Sequence, residues 1–219
     1  VNPGEEATVA AALSAGAWAS AGNKLALVTD TGKTLEVTFD GTNACGYYLH
    51  NNPTPPSGTT TAQADLPLDN TYPGQPTLYN YDTDRDGASG LLVVRGGSGP
   101  AEADLTKYQN WRTAALSEAL ELAGTITVDL WAAVKDFSTT STGVVAVYLR
   151  DYNGASYTEI ASSTASATPW DAAASGSFVR RTVSVSGVNY TVAAGNRLEV
   201  KVTVGAGADD DMWFAYDTP

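Results

Sequence analysis

Asp82-Thr83-Asp84-Arg85-Asp86-Gly87 sets three carboxylates at alternating positions and closes with a glycine, where a metal-wrapping backbone must turn sharply. Side chains at the first, third and fifth positions of such a loop converge on one Ca2+, a hard cation that takes roughly six to eight oxygens at ~2.3–2.6 Å. The spacing predicts a calcium-type loop with Asp82, Asp84 and Asp86 as ligands. An EF-hand would carry a bidentate Glu at the twelfth position, and Val93 stands there, so the motif is partial. A remote carboxylate would have to complete the shell, with Asp209, Asp210 and Asp211, or Glu102 and Asp104, as candidates by charge. The same stretch also reads as a solvated acidic turn with Arg85 as local counterion.

Little else in the chain is equipped for catalysis, and we expect no enzyme activity. There is one His and one Cys. His50 has no Gly-x-Ser-x-Gly nucleophile elbow to serve, so a structural histidine is expected. Glu118 with Glu121, or Glu159 with Asp171, could be proposed as glycosidase carboxylates, but an acidic chain always supplies such pairs and sequence spacing does not give their separation. The balance of 24 Asp+Glu against 12 Lys+Arg, a net charge of −12, argues against nucleic acid, which needs clustered basic residues. Cys45 lacks a partner within the chain and lies in apolar Ala44-Cys45-Gly46-Tyr47-Tyr48-Leu49, which suits a buried thiol. No run approaches the ~18 apolar residues of a membrane span.

Any such loop must be held by strands. Lys24 to Thr29 and Thr34 to Phe39 flank Asp30-Thr31-Gly32-Lys33 and predict a hairpin. Residues 5–19 fit either an Ala-rich helix capped near Asn2 or a strand added to a sheet edge. Residues 51–76, rich in Pro, Thr, Gly and Asn, read as a long surface loop. Beyond it, period-two alternation recurs in Ile126/Val128/Leu130, Val145/Val147/Leu149, Val183/Val185 and Leu198/Val200/Val202/Val204, each opposed by polar residues. Many half-buried strands without helices between them predict an all-β antiparallel sandwich of jelly-roll type. The expected organisation is an N-terminal extension with hairpin over 1–44 and a sandwich over 45–219.

Leu116-Ser117-Glu118-Ala119-Leu120-Glu121-Leu122-Ala123-Gly124-Thr125-Ile126-Thr127-Val128-Asp129-Leu130-Trp131 resembles an early strand pair of the jelly-roll domain appended to X-prolyl dipeptidyl peptidases and related acyl hydrolases. The similarity continues in outline through Val192-Ala193-Ala194-Gly195-Asn196-Arg197-Leu198-Glu199-Val200 and covers roughly residues 107–217. In those enzymes the catalytic serine, aspartate and histidine sit in a separate α/β-hydrolase domain, so the resemblance implies an accessory module and transfers no active site. Tyr48 to Pro56 and Met212 to Thr218 also resemble the two ends of modules of large bacterial surface proteins.

Two binding roles suit such a module. Abundant Ser and Thr with almost no Cys, Met or His suit an extracellular or cell-surface structural protein that associates with copies of itself, Thr8 to Leu13 being small enough for close strand addition. Trp111, Trp131, Trp170, Tyr148, Tyr152 and Tyr157 could alternatively form a platform for surface glycans in a calcium-stabilised carbohydrate-binding or adhesion module.

Overall fold

Alternation becomes strand structure along the chain. The computed structural model describes residues 24–28, 34–38, 47–50, 59–61, 66–69, 90–136, 138–170 and 178–215. Residues 5–19, Cys45 and the Asp82 to Gly87 loop lie outside the described residues. Contacts divide the chain into two compact units, Val1–Gly46 and Tyr47–Pro219. In the first, β1 (Lys24–Val28) and β2 (Thr34–Thr38) pair as the expected hairpin, in register from Lys24 opposite Thr38 to Val28 opposite Thr34.

The second unit is a two-sheet sandwich, the all-β antiparallel architecture that the alternation predicts. Its strands are β3 (Tyr48–Leu49), β4 (Thr59–Thr61), β5 (Leu66–Asp69), β6 (Gly90–Val93), β7 (Tyr108–Arg112), β8 (Leu120–Val134), β9 (Gly143–Tyr152), β10 (Tyr157–Ala167), β11 (Val179–Val192), β12 (Arg197–Val204) and β13 (Met212–Ala215). One sheet has the order β10-β9-β12-β7-β5-β3 and the other β11-β8-β13-β6-β4. Most neighbours are antiparallel, whereas β4 with β6 and β5 with β7 run parallel. Among the described residues there is no helix.

The inner faces supply the core. Val128, Leu130, Ala132 and Val134 of β8 face Val145, Val147 and Leu149 of β9 and the Leu198/Val200/Val202/Val204 row of β12, all buried. Turns fall where their chemistry demands: Asn153 Oδ1 accepts from the Ala155 and Ser156 amides at 3.0 and 2.9 Å, closing the β9–β10 hairpin. In β11 the register against β8 shifts between Val185 and Val188, and Gly187 at φ +70° takes the left-handed conformation that the bulge requires.

The Pro-rich stretch differs from its sequence-based reading. Instead of a continuous surface loop, it contains β4 and β5, and β5 buries Leu66 and Leu68. Two leucines separated by one residue suffice to drive a short strand into the core, even around Pro67.

Candidate functional site

The outward row of β12 is the most unusual feature of the sandwich. Strand alternation sends Glu199, Lys201 and Thr203 away from the core, and such a row is expected to be wet, yet their exposures are 0%, 2% and 1%. Register explains the charges: Glu199 lies directly opposite Arg112 of β7 on one side and Arg150 of β9 on the other. Its carboxylate accepts from Arg112 Nε at 2.8 Å and from Arg112 Nη2, and Arg150 donates to the second oxygen through Nε and Nη2. The two guanidinium groups lie over the rings of Tyr152 at 3.8 Å and Tyr157 at 3.9 Å. A buried charge is tolerated when it is paired and hydrogen-bonded in this way.

A roof completes the layer. The segment from Arg95 to Lys107, joining β6 to β7, crosses the outer face, and Gly97 comes so close that an added Cβ would lie 2.7 Å from Thr203 Cβ. Lys201 Nζ donates to the carbonyls of Glu102 at 2.6 Å and Pro100 at 3.2 Å and sits 3.8 Å over the Tyr108 ring. Glu102 in turn accepts from Ser98 N and Oγ and from Asp104 N, each at 2.8 Å, while Asp104 accepts from Thr106 N at 3.0 Å. Hydrogen bonds from the Asp104 and Ser98 amides hold the Glu102 carboxyl down at about 2. Glu102 and Asp104 thus lock a loop.

Burial, reinforced by the like charge of Arg150, pulls the Lys201 ammonium down to about 8, against the opposing pull of Glu199 and Glu102. An unfolded lysine titrates near ~10.5, so between about 8 and 10.5 the unfolded chain binds more protons, and stability rises with pH through that window. Urea unfolding at pH 7.5 and pH 9.5 is expected to show the parent chain gaining stability relative to Lys201→Met. A parent-to-variant difference that stays constant across those two pH values would show that Lys201 keeps an ordinary affinity for its proton.

The second acidic run is also structural. Asp209 exchanges bonds with the start of β9, its amide donating to Thr142 O at 2.9 Å and its Oδ2 accepting from Thr142 N at 2.6 Å. Asp211 Oδ1 accepts from Arg95 N at 3.0 Å, and its main-chain oxygen accepts from Lys135 N at 2.9 Å. Asp210 Oδ1 accepts from the Asp211 amide at 2.7 Å. The run stitches the β12–β13 loop to three neighbouring segments. Among the described residues no group of three or more His, Cys, Asp or Glu side chains is placed to hold a metal.

The six aromatic residues do not share a surface. Trp111 and Trp170 are buried in the core, while Trp131 is 42% exposed on the β8 sheet. Tyr148, Tyr152 and Tyr157 belong to β9 and β10 of the other sheet. Parity along β8 sets Trp131 on the outer register, opposite to Val128 and Leu130, but parity does not reveal which sheet a residue joins. His50 Nε2 lies 3.1 Å from Asp69 Oδ1, in keeping with a structural histidine. Glu118, Glu121 and Glu159 are all exposed, and Asp171 lies outside the described residues. The Arg112–Glu199–Arg150 layer was missed from sequence; an Arg and a Glu at outward positions of separate strands were the available signal.

The geometry defines a class first: a β-sandwich whose described charged side chains mostly brace its own loops and sheet. A profile of the X-Pro dipeptidyl-peptidase C-terminal non-catalytic domain matches residues 7–208, and the chain belongs to that family. The match begins well upstream of the 107–217 stretch that carries the resemblance. Among curated proteins none matches. Of solved structures, an α-amino acid ester hydrolase shares 14% identity over 79% of this chain and 34% of its own, with a TM-score of 0.50. An aminopeptidase from a marine sediment Thaumarchaeota archaeon shares 15% identity over 79% of this chain and 35% of its own, with a TM-score of 0.47. A CocE/NonD family hydrolase from Staphylococcus aureus shares 9% identity over 85% of this chain and 37% of its own, with a TM-score of 0.45. The chain spans about a third of the length of these solved hydrolases.

Proposed function

We propose that this chain is a structural module of an extracellular or cell-surface protein, binding copies of itself rather than transforming a substrate. The carrying observation is the roofed charge layer: Glu199, Arg112, Arg150, Lys201 and Glu102 spend their chemistry on holding a loop to a sheet. Membership of a family of non-catalytic domains supports the same reading. Wet-face strands rich in Ser and Thr, such as the exposed Thr182 and Ser184 row of β11, suit a long-lived extracellular object. Negative-stain microscopy of the purified chain at high concentration, with and without calcium, tests self-association. Filaments, coats or ordered layers are the expected result, and monomers in every condition would remove it.

Calcium belongs to this proposal through Asp82, Asp84 and Asp86. An ion bound to the folded state alone adds RT ln(1 + [L]/Kd), about 2.7 kcal/mol at a hundredfold excess over Kd. Melting is therefore expected to shift upward by several degrees in millimolar calcium relative to EDTA, and the shift is expected to vanish in Asp84→Asn. Superimposable curves with calcium and EDTA would count against a stabilising ion.

The family description supports a second reading, in which the module buttresses an X-Pro dipeptidyl-peptidase-type catalytic domain. Co-purification and a raised melting temperature of such a catalytic domain in the presence of this chain would favour it over self-association.

A further inference from the structure

One concave site lies apart from the roofed layer's centre. Pro67, Thr113, Ala114 and Gly154 border a cleft of about 510 Å3 at the end of the six-stranded sheet, into which Arg112, Arg197 and Tyr152 also contribute. That volume is in the range of small-ligand sites. Among its described lining residues there are two guanidinium groups and no carboxylate, in a chain whose net charge is −12.

Both cations are set in place by the fold. Arg197 stands opposite Tyr152 in the β12–β9 register, and its Nη1 donates to Thr113 O at 3.1 Å. Arg112 is oriented by Glu199 and by the Tyr152 ring beneath it. The Thr113 hydroxyl oxygen accepts from Leu198 N at 3.0 Å, which fixes the buried threonine whose carbonyl holds Arg197. Holding the Arg197 guanidinium before a ligand arrives lowers the ordering cost of binding.

We infer that the Arg112/Arg197 cleft binds the carboxylate of an acidic saccharide, a uronate residue whose ring lies between Pro67 and Tyr152. A guanidinium fork matches a carboxylate in two parallel hydrogen bonds, and Arg197 is the anchor. Glu199 already offsets part of the Arg112 charge, so the cleft suits a monoanion better than a phosphate dianion. Tyrosine edge and proline face are the complement of a sugar ring's C–H patches. This site does not depend on self-association, and a monomeric chain would carry it equally.

Isothermal titration of the full 219-residue chain with uronate oligomers tests the assignment, using oligogalacturonate, oligomannuronate and hyaluronate fragments. At least one is expected to bind, with affinity falling tenfold or more when its carboxylates are methyl-esterified, when NaCl rises from 20 to 500 mM, and in Arg197→Gln. Arg197→Lys, which keeps the charge and loses the fork, is expected to fall between, with both variants melting like the parent. Silence from all three oligomers, equal binding of the ester, or undiminished binding by a normally folded Arg197→Gln would overturn it. Equal affinity for an oligoglutamate peptide would overturn the saccharide assignment in favour of a protein segment.

Discussion

Glu199→Gln is expected to cost the sandwich about 3–5 kcal/mol, the usual penalty for removing one member of a buried ionic group. The mutation keeps the side chain's size and removes its charge, leaving Arg112 and Arg150 facing each other across β12. For a unit of this size the loss corresponds to a fall in Tm of roughly 10 °C. The triple replacement Arg112→Met, Arg150→Leu, Glu199→Met separates two meanings of that cost. If it recovers most of the stability, the trio stabilises little against an apolar alternative and instead specifies which loop covers the sheet. Urea unfolding of the three proteins measures both effects. A Glu199→Gln curve within about 0.5 kcal/mol of the parent would mean that the layer is open to water.

Trp170→Ala is expected to have an effect of similar size, about 3–5 kcal/mol, by a different route. Trp170 is buried between the sheets just after β10, with its indole Nε1 donating to Ala132 O of β8 at 3.0 Å and its amide donating to Ser141 O at 3.0 Å. Arg181 donates to its carbonyl and lies 5.2 Å from its ring. Gly143, at the start of β9, lies under the same indole, and an added Cβ would come within 2.4–2.6 Å of three ring atoms. Truncating the indole opens a cavity and strands a backbone acceptor. Gly143→Ala approaches the same contact from the other side and is expected to cost about 1–3 kcal/mol through overpacking. The comparison that makes the test sharp is Trp131→Ala, expected to cost no more than about 1 kcal/mol because that ring is 42% exposed on the outer face of β8 and fills no core space. Equal losses for Trp170 and Trp131 in chemical unfolding would refute this division of roles.

Much of the sandwich was legible because its strands announce themselves by parity. Val128 and Leu130, Val145 and Val147, and Val200 and Val202 are apolar at every second position, and all are buried on the inner faces. The Asn153-Gly154 turn and the Lys24 to Thr38 hairpin were readable for the same local reason, since loop residue type and spacing act over a few residues. β5 was less legible because its proline and its brevity resemble a loop. What commits it is the burial of Leu66 and Leu68 against strands distant in sequence.

The site was harder to read. The Asp82, Asp84 and Asp86 spacing is local, so the sequence alone raises the calcium question, which the EDTA experiment answers. Glu199 carries no local mark, since a glutamate at an outward strand position normally faces water.

By itself the sequence determined the all-β class, the inner faces and the hairpin turns, because period-two patterning and turn chemistry are properties of neighbouring residues. Tertiary structure decided that Arg112, Glu199 and Arg150 meet, that Gly97 lets a loop pack over Thr203 on the outer face of β12, and that Trp111 and Trp170 fill the core while Trp131 does not. Those outcomes depend on strand order and on which segment crosses which face. A contact between residues 87 positions apart, such as Arg112 with Glu199, is set by sheet register and leaves no trace in either residue's neighbours.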